Sequence, residues 1–258
     1  DSGITIWQTL PIGPTHQDLS PYQSLSAHAG NQDFIDLAEL LQTGLLADAE
    51  LAQPIAESRQ QLLAIAAQRF YEGHATGRKG LDLAGFEAFR ARNDYWLDDF
   101  CLFCAIREVQ ESPGWLQWPE HLRDREPAAL QAFVDQNQAR LARIRFEQFL
   151  FNHQWQELRD YARSRNVLLF GDIPIFVAQD SADVWANRQF FKLDARGEPT
   201  VIAGVPPDYF SEEGQHWGNP LYNWQVMAED GYQWWLQRLE SQRHLFDLIR
   251  IDHFRGLQ

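Results

Sequence analysis

The chain has 258 residues, enough to bury a full core, and its 45% hydrophobic and 22% charged content is that of a soluble globular protein. A net charge of −14, from 36 acids against 22 Lys and Arg, would repel a polyanion, so neither nucleic acid nor an anionic membrane is expected as a partner. No run approaches the ~18 apolar residues of a membrane span, and the polar opening has no basic-then-apolar leader, so the expectation is a cytoplasmic protein that handles an uncharged ligand.

The first predicted element is a strand that opens Ile4-Thr5-Ile6-Trp7-Gln8-Thr9-Leu10 and runs into the long polar loop Gly13 to Ser24. That loop holds Pro14, Pro21 and Tyr22, and polar loops of this kind at the active end of a barrel usually carry function, the alternative being a surface connector. His28, among small residues, reads as packing or as satisfying loop backbone. From about Phe34 the period changes to that of a helix. Ile35, Leu37, Leu40 and Leu41 begin it, and Leu62, Leu63, Ala66, Ala67 and Phe70 continue it. Three glycines from Gly73 to Gly80 break the series.

A second helical block spans Leu83 to Val109 and ends at Ser112-Pro113-Gly114. It contains Cys101 and Cys104, the only cysteines, spaced so that both share one helix face. With no second pair to complete a zinc site, they read as buried structural thiols suited to a reducing compartment. A single long helix is expected from Pro127, a natural first-turn residue, through Leu141, Ile144 and Phe149 to about Tyr161.

The second strand, Val167 to Ile173, delivers Asp172. About 150 residues separate it from the first, far more than one strand-to-strand crossover needs. The expected organisation is therefore a strand and loop over 1–33, a helical insertion over 34–165, and further strands over 166–258. The stretch Gly204 to Pro220, dense in Gly, Pro and aromatics, reads as an ordered irregular loop. A helix from about Gly231 to Leu245 leads to the last strand, Leu248-Ile249-Arg250-Ile251, which delivers Asp252.

Two aspartates at the ends of apolar strands are costly unless paired or used. On a strand Arg250 and Asp252 face the same side, so the arginine would keep the carboxylate ionised, as a nucleophile requires. A structural Asp–Arg pair would show the same spacing. Ten Trp, 17 Phe and 7 Tyr either fill the core or stack on sugar rings.

Ile249-Arg250-Ile251-Asp252-His253-Phe254-Arg255-Gly256 resembles the nucleophile strand of the α-amylase clan. Further motifs narrow the resemblance to the 4-α-glucanotransferases, the amylomaltase or disproportionating-enzyme family. They are Trp7-Gln8-x-Leu10-Pro11-x-Gly13-Pro14-Thr15, Ser20-Pro21-Tyr22-Gln23-Ser24, Gly171-Asp172-Ile173-Pro174-Ile175-Phe176-Val177 and Gly204 to Phe210 through Trp217 to Tyr222. Together they cover nearly the whole chain.

The resemblance implies an α/β fold, a TIM-type (β/α)8 barrel with a large helical insertion, of which this chain holds part. It implies transfer of α-1,4-glucan segments between maltooligosaccharides by a retaining double displacement, with no cofactor and no metal. Asp252 matches the nucleophile and Arg250 the arginine that orients it. Tyr22, Asp172 and His253 match positions of the donor site. Asp208, Trp217, Gly218, Asn219 and Pro220 belong to the loop that overhangs the cleft, with Trp217 as the stacking residue. The sequence departs from the family at Thr15 to Ser20, where some members carry glycines. The family's acid/base glutamate matches no residue here, and both ends are abrupt, so a longer protein is expected. A hydrolase of the same clan, or a non-catalytic glucan-binding chain, remain the alternatives.

Overall fold

A computed structural model describes residues 3–51, 55–111, 114–207, 209 and 212–257. At its centre three strands, β1 (Ile6–Gln8), β2 (Leu168–Ile173) and β5 (Leu248–Ile251), form a parallel sheet in the order β1-β2-β5. Trp7 lies opposite Leu169, and Asp172 opposite Arg250. All three strands run the same way, so the loops that follow them leave from one edge of the sheet.

β2 is the buried strand, with Leu169 and Ile173 almost fully enclosed. Gly171 is required there: a Cβ would meet the Phe246 ring at 2.2 Å. On the two outer strands Ile6, Trp7 and Leu248 stay exposed to the extent of 47%, 50% and 39% among the described residues.

The helices of the long connection are Ile55–Tyr71, Leu83–Arg92, Leu97–Gln110, Pro127–Gln136 and Gln138–Ser164. The 138–164 helix is the spine. Leu141, Ile144, Phe146, Phe149 and Leu150 recur at helical spacing and are buried against the 55–71 and 97–110 helices. Phe70, Phe86, Phe146 and Phe149 meet with ring centroids 5.0 to 5.8 Å apart. Trp155 Nε1 donates to Leu245 O at 2.8 Å and ties the same helix to the end of the Gln233–Leu245 helix, which leads into β5. Gln148 exchanges two hydrogen bonds of 2.9 Å with the backbone of Gly30, fixing the first loop's far end.

Asp247 completes this junction. Its Oδ1 accepts from Arg159 at 3.0 Å and from Arg163, while Oδ2 accepts the Leu169 N–H at 2.9 Å. Burial alone would raise its pKa, but these donors outweigh burial and hold the carboxyl below its usual value.

The structure corrects three sequence expectations. The predicted long helix from Pro127 is broken at Asn137, whose Nδ2 donates to Phe133 O at 2.9 Å and closes the first helix. The spine therefore begins at Gln138. The 83–109 block is likewise two helices, because Asn93 Nδ2 caps Phe89 O at 2.8 Å. The stretch 204–220 is regular at its two ends: β3 (Ile202–Val205) and β4 (Gln215–Pro220) form an antiparallel ribbon, Val205 opposite Gln215. Pro206 and Pro207 end β3, since neither has an N–H to donate to a ladder. Cys101 is fully buried and Cys104 partly so, both free, and burial pushes both thiols far up.

Candidate active site

The loop after β1 folds back on itself. Thr15 bridges to Ser24, the Leu25 N–H donates to Pro14 O at 2.8 Å, and Ser24 Oγ donates to the same carbonyl at 3.0 Å. This brings Tyr22 over the end of β2, where its hydroxyl donates to Asp172 Oδ2 at 2.9 Å. Burial and then the bond to Asp172 raise the phenol above its ordinary value, so it remains a donor across the neutral range.

Register sets the rest. Asp172 and Arg250 are cross-strand partners, and Arg250 Nε lies 3.5 Å from Asp172 Oδ1. Arg250 Nη2 meanwhile binds Asp252 Oδ1, two residues on along the same face. One guanidinium thus bridges two carboxylates. The bond to Asp252, and then the charge of Asp172, raise the arginine above its already high value and keep it charged. Asp252 is anchored by its own N–H, which donates to Ile173 O at 2.9 Å.

The two carboxylates differ in access. The Asp172 side chain is 1% exposed and that of Asp252 39%. Asp252 faces a cleft of about 380 Å³ lined by Tyr22, Gln23, Phe176, Trp217, Asn219 and His253 among others, whereas Asp172 borders a separate cavity of only about 40 Å³. His253 follows with φ of 50°, a left-handed turn, and its ring meets Trp217 edge-on at 5.1 Å.

Gln23 ties the roof to the floor. Its Nε2 donates to Trp217 O at 3.4 Å and to Asn219 Oδ1 at 3.2 Å, and Asn219 Nδ2 donates to Val177 O at 2.8 Å. The β3–β4 ribbon is therefore held against both the first and the second strand loops.

Of the residues singled out from sequence, Tyr22, Trp217, Asn219, Asp252 and His253 line the cleft together. Asp172 lies beneath it and Arg250 beside it. Gly218 and Pro220 flank Asn219 on β4 without lining the cleft. Asp208 lies outside the described residues. Gln23, Ile175 and Phe176 entered the sequence reading only as letters of motifs, yet they line the cleft. Among the described residues no group of three His, Cys, Asp or Glu is placed to hold a metal ion, and no helix is long and apolar enough to cross a membrane.

A reachable carboxylate gripped by arginine at a parallel-strand end, below an aromatic roof, has the character of a carbohydrate-active α/β protein. Comparison with known proteins gives the family. Residues 1–258 match glycoside hydrolase family 77, 4-alpha-glucanotransferase, and the chain belongs to that family. It is 43% identical to the 4-alpha-glucanotransferase of Thermus thermophilus over 262 residues, covering 100% of this chain and 52% of that protein. With the 4-alpha-glucanotransferase of a Synechocystis species it shares 42% identity over 268 residues, covering 100% and 53%. The fold matches that of amylomaltase from Streptococcus agalactiae in complex with acarbose, with a TM-score of 0.89 at 33% identity, over 98% of this chain and 52% of that one. The chain spans about half the length of the curated relatives it matches.

Proposed function

We propose that the protein transfers α-1,4-glucan segments from one maltooligosaccharide to the 4-hydroxyl of another, with Asp252 as nucleophile of a retaining double displacement. The observation that carries this reading is the exposed Asp252 carboxylate in the cleft, with Oδ1 held by Arg250, in a chain of this family. Oδ2 is then the oxygen that attacks the anomeric carbon. The bond to the leaving glycosidic oxygen breaks, a covalent glucosyl ester forms, and an acceptor 4-hydroxyl displaces the carboxylate in the second step.

Arg250 fixes the attacking group and balances its charge, which preorganises the site before substrate arrives. Tyr22 and the buried Asp172 shape the wall next to the nucleophile. Trp217 presents an aromatic face for stacking a sugar ring, and Asn219 offers amide contacts at the same wall. The roof held by Gln23 favours an acceptor sugar over water, as a transferase needs. A retaining mechanism also needs a second carboxyl ~5 Å from the first to protonate the leaving oxygen. Asp172 is too enclosed for that task. We assign it to the remainder of a (β/α)8 barrel, of which β1, β2 and β5 form one parallel segment.

The test is labelling with 5-fluoro-α-maltosyl fluoride, whose fluoride departs without proton transfer and so does not depend on the acid/base. The expected result is one glycosyl adduct, mapped by mass spectrometry to Asp252. An adduct on any other carboxylate, or an equal adduct in the Asp252→Asn variant, would overturn the assignment.

A further inference from the structure

A second pit opens behind the loops that carry Tyr22 and Asp172. Ser26 and His28 continue the first loop and Asp183 follows the second, while Tyr95, Trp96 and Trp234 wall the space. Its volume is about 180 Å³. An engineered cavity of roughly 150 Å³ in another protein accepts benzene, so this one has room for a six-membered ring.

The floor is polar and enclosed, with His28 6% and Asp183 5% exposed. Ser241 Oγ donates to Arg238 O at 2.9 Å, so at 3.0 Å from His28 Nδ1 it can only accept. That assigns the ring proton to Nδ1 and leaves Nε2 as a lone pair. Nε2 faces Asp183 Oδ1 at 3.6 Å, and Asp183 Oδ2 takes the Ala27 N–H at 2.8 Å. Burial pushes the imidazole down to about 3 and the carboxyl up to about 6, so at neutral pH neither group supplies a proton to the other. Two acceptors stand side by side, and no side chain among the described residues donates to either. Acceptors that border a roomy polar pit can be met by the donors of a ligand.

The walls add shape. Trp96 lies nearly parallel to the His28 ring at 5.9 Å, with Tyr95 and Trp234 edge-on at 5.4 and 6.2 Å. The amides of Asn187 and Gln237 stand at the half-buried mouth. We propose that this pit binds a neutral polyhydroxylated six-membered ring, a pyranose or cyclitol, whose adjacent hydroxyls donate to His28 Nε2 and Asp183 Oδ1. Aromatic faces suit the C–H face of such a ring, and the mouth amides suit its outer hydroxyls. An organic cation is the rival occupant, since Asp183, Asp99 and Asp230 all line the pit, but two arginines offset part of that charge. Asp99 is bound by Arg125 at 2.5 Å, and the positive Arg238 acts on both His28 and Asp183. The inference goes beyond the proposed reaction and rests on the pit alone.

Calorimetric titration with D-glucose and, separately, myo-inositol tests it. The variants are His28→Phe, which keeps a ring but removes the acceptor, and Gln237→Trp, which plugs the mouth and leaves the floor intact. One of the two probes should bind the wild-type protein, and the binding should weaken at least tenfold in both pit variants. It should persist in Asp252→Asn and Trp217→Ala, which alter only the cleft. Binding that survives Gln237→Trp, or that is lost only in the cleft variants, would overturn the proposal. So would binding of neither probe, or binding of tetramethylammonium in their place. Near-UV circular dichroism of each variant separates loss of the site from loss of the fold.

Discussion

Asp172 and Asp252 carry the same chemical group at the ends of neighbouring strands, and their surroundings divide the work. Asp172 is enclosed, bonded to Tyr22 and adjacent to Arg250, whereas Asp252 shares Arg250 but opens to the cleft. Replacing Tyr22 with Phe removes the one hydrogen bond to Asp172 Oδ2 and leaves a buried carboxylate oxygen unsatisfied. We expect about 1–2 kcal/mol of lost stability in denaturant titration, together with weaker maltooligosaccharide binding. An unchanged midpoint would show that Asp172 does not depend on Tyr22. The pair Arg250 and Asp252 was legible in the sequence because period-two alternation alone puts both on one face. Gln23 was not. Its partners Trp217 and Asn219 are 194 and 196 positions away, and only tertiary structure brings them within reach.

At the level of elements, apolar periodicity located the three parallel strands and most of the helices, and side-chain capping set the limits of two of the helices. Asn137 and Asn93 end helices by capping a carbonyl four residues back, a local choice that apolar spacing does not record. The β3–β4 ribbon was hidden because its composition is that of a loop, while its pairing depends on backbone register rather than on alternating side chains. Asp247 links spine and sheet by accepting from Arg159, Arg163 and the Leu169 N–H. Asp247→Asn should destabilise the fold by about 3 kcal/mol, since it strips a buried partner from Arg159.

The pH dependence follows from the lowered carboxyl. A depressed folded-state value means that the ionised Asp247 contributes stability above the ordinary value of 3.8, and that this is lost as pH falls through the folded value. The variant should therefore show a shallower acid-unfolding profile than wild type below that ordinary value. A parallel profile at lower overall stability would mean the linkage lies elsewhere.

For the molecule as a whole, charge and aromatic content pointed to an uncharged ligand, and the motifs pointed to the family, which residues 1–258 match throughout. The pit behind the two loops was invisible in sequence: His28 read as packing or loop satisfaction, and only tertiary structure brings it beside Asp183. The central claim concerns the cleft. The measurement that tests it most directly is the product profile of the full chain on maltotriose, with Asp252→Asn alongside. The account predicts glucose together with a ladder of maltooligosaccharides longer than the substrate, formed at a rate reduced about 10⁴-fold or more in the folded variant. Glucose and maltose with no longer products, or wild-type turnover in the variant, would contradict it.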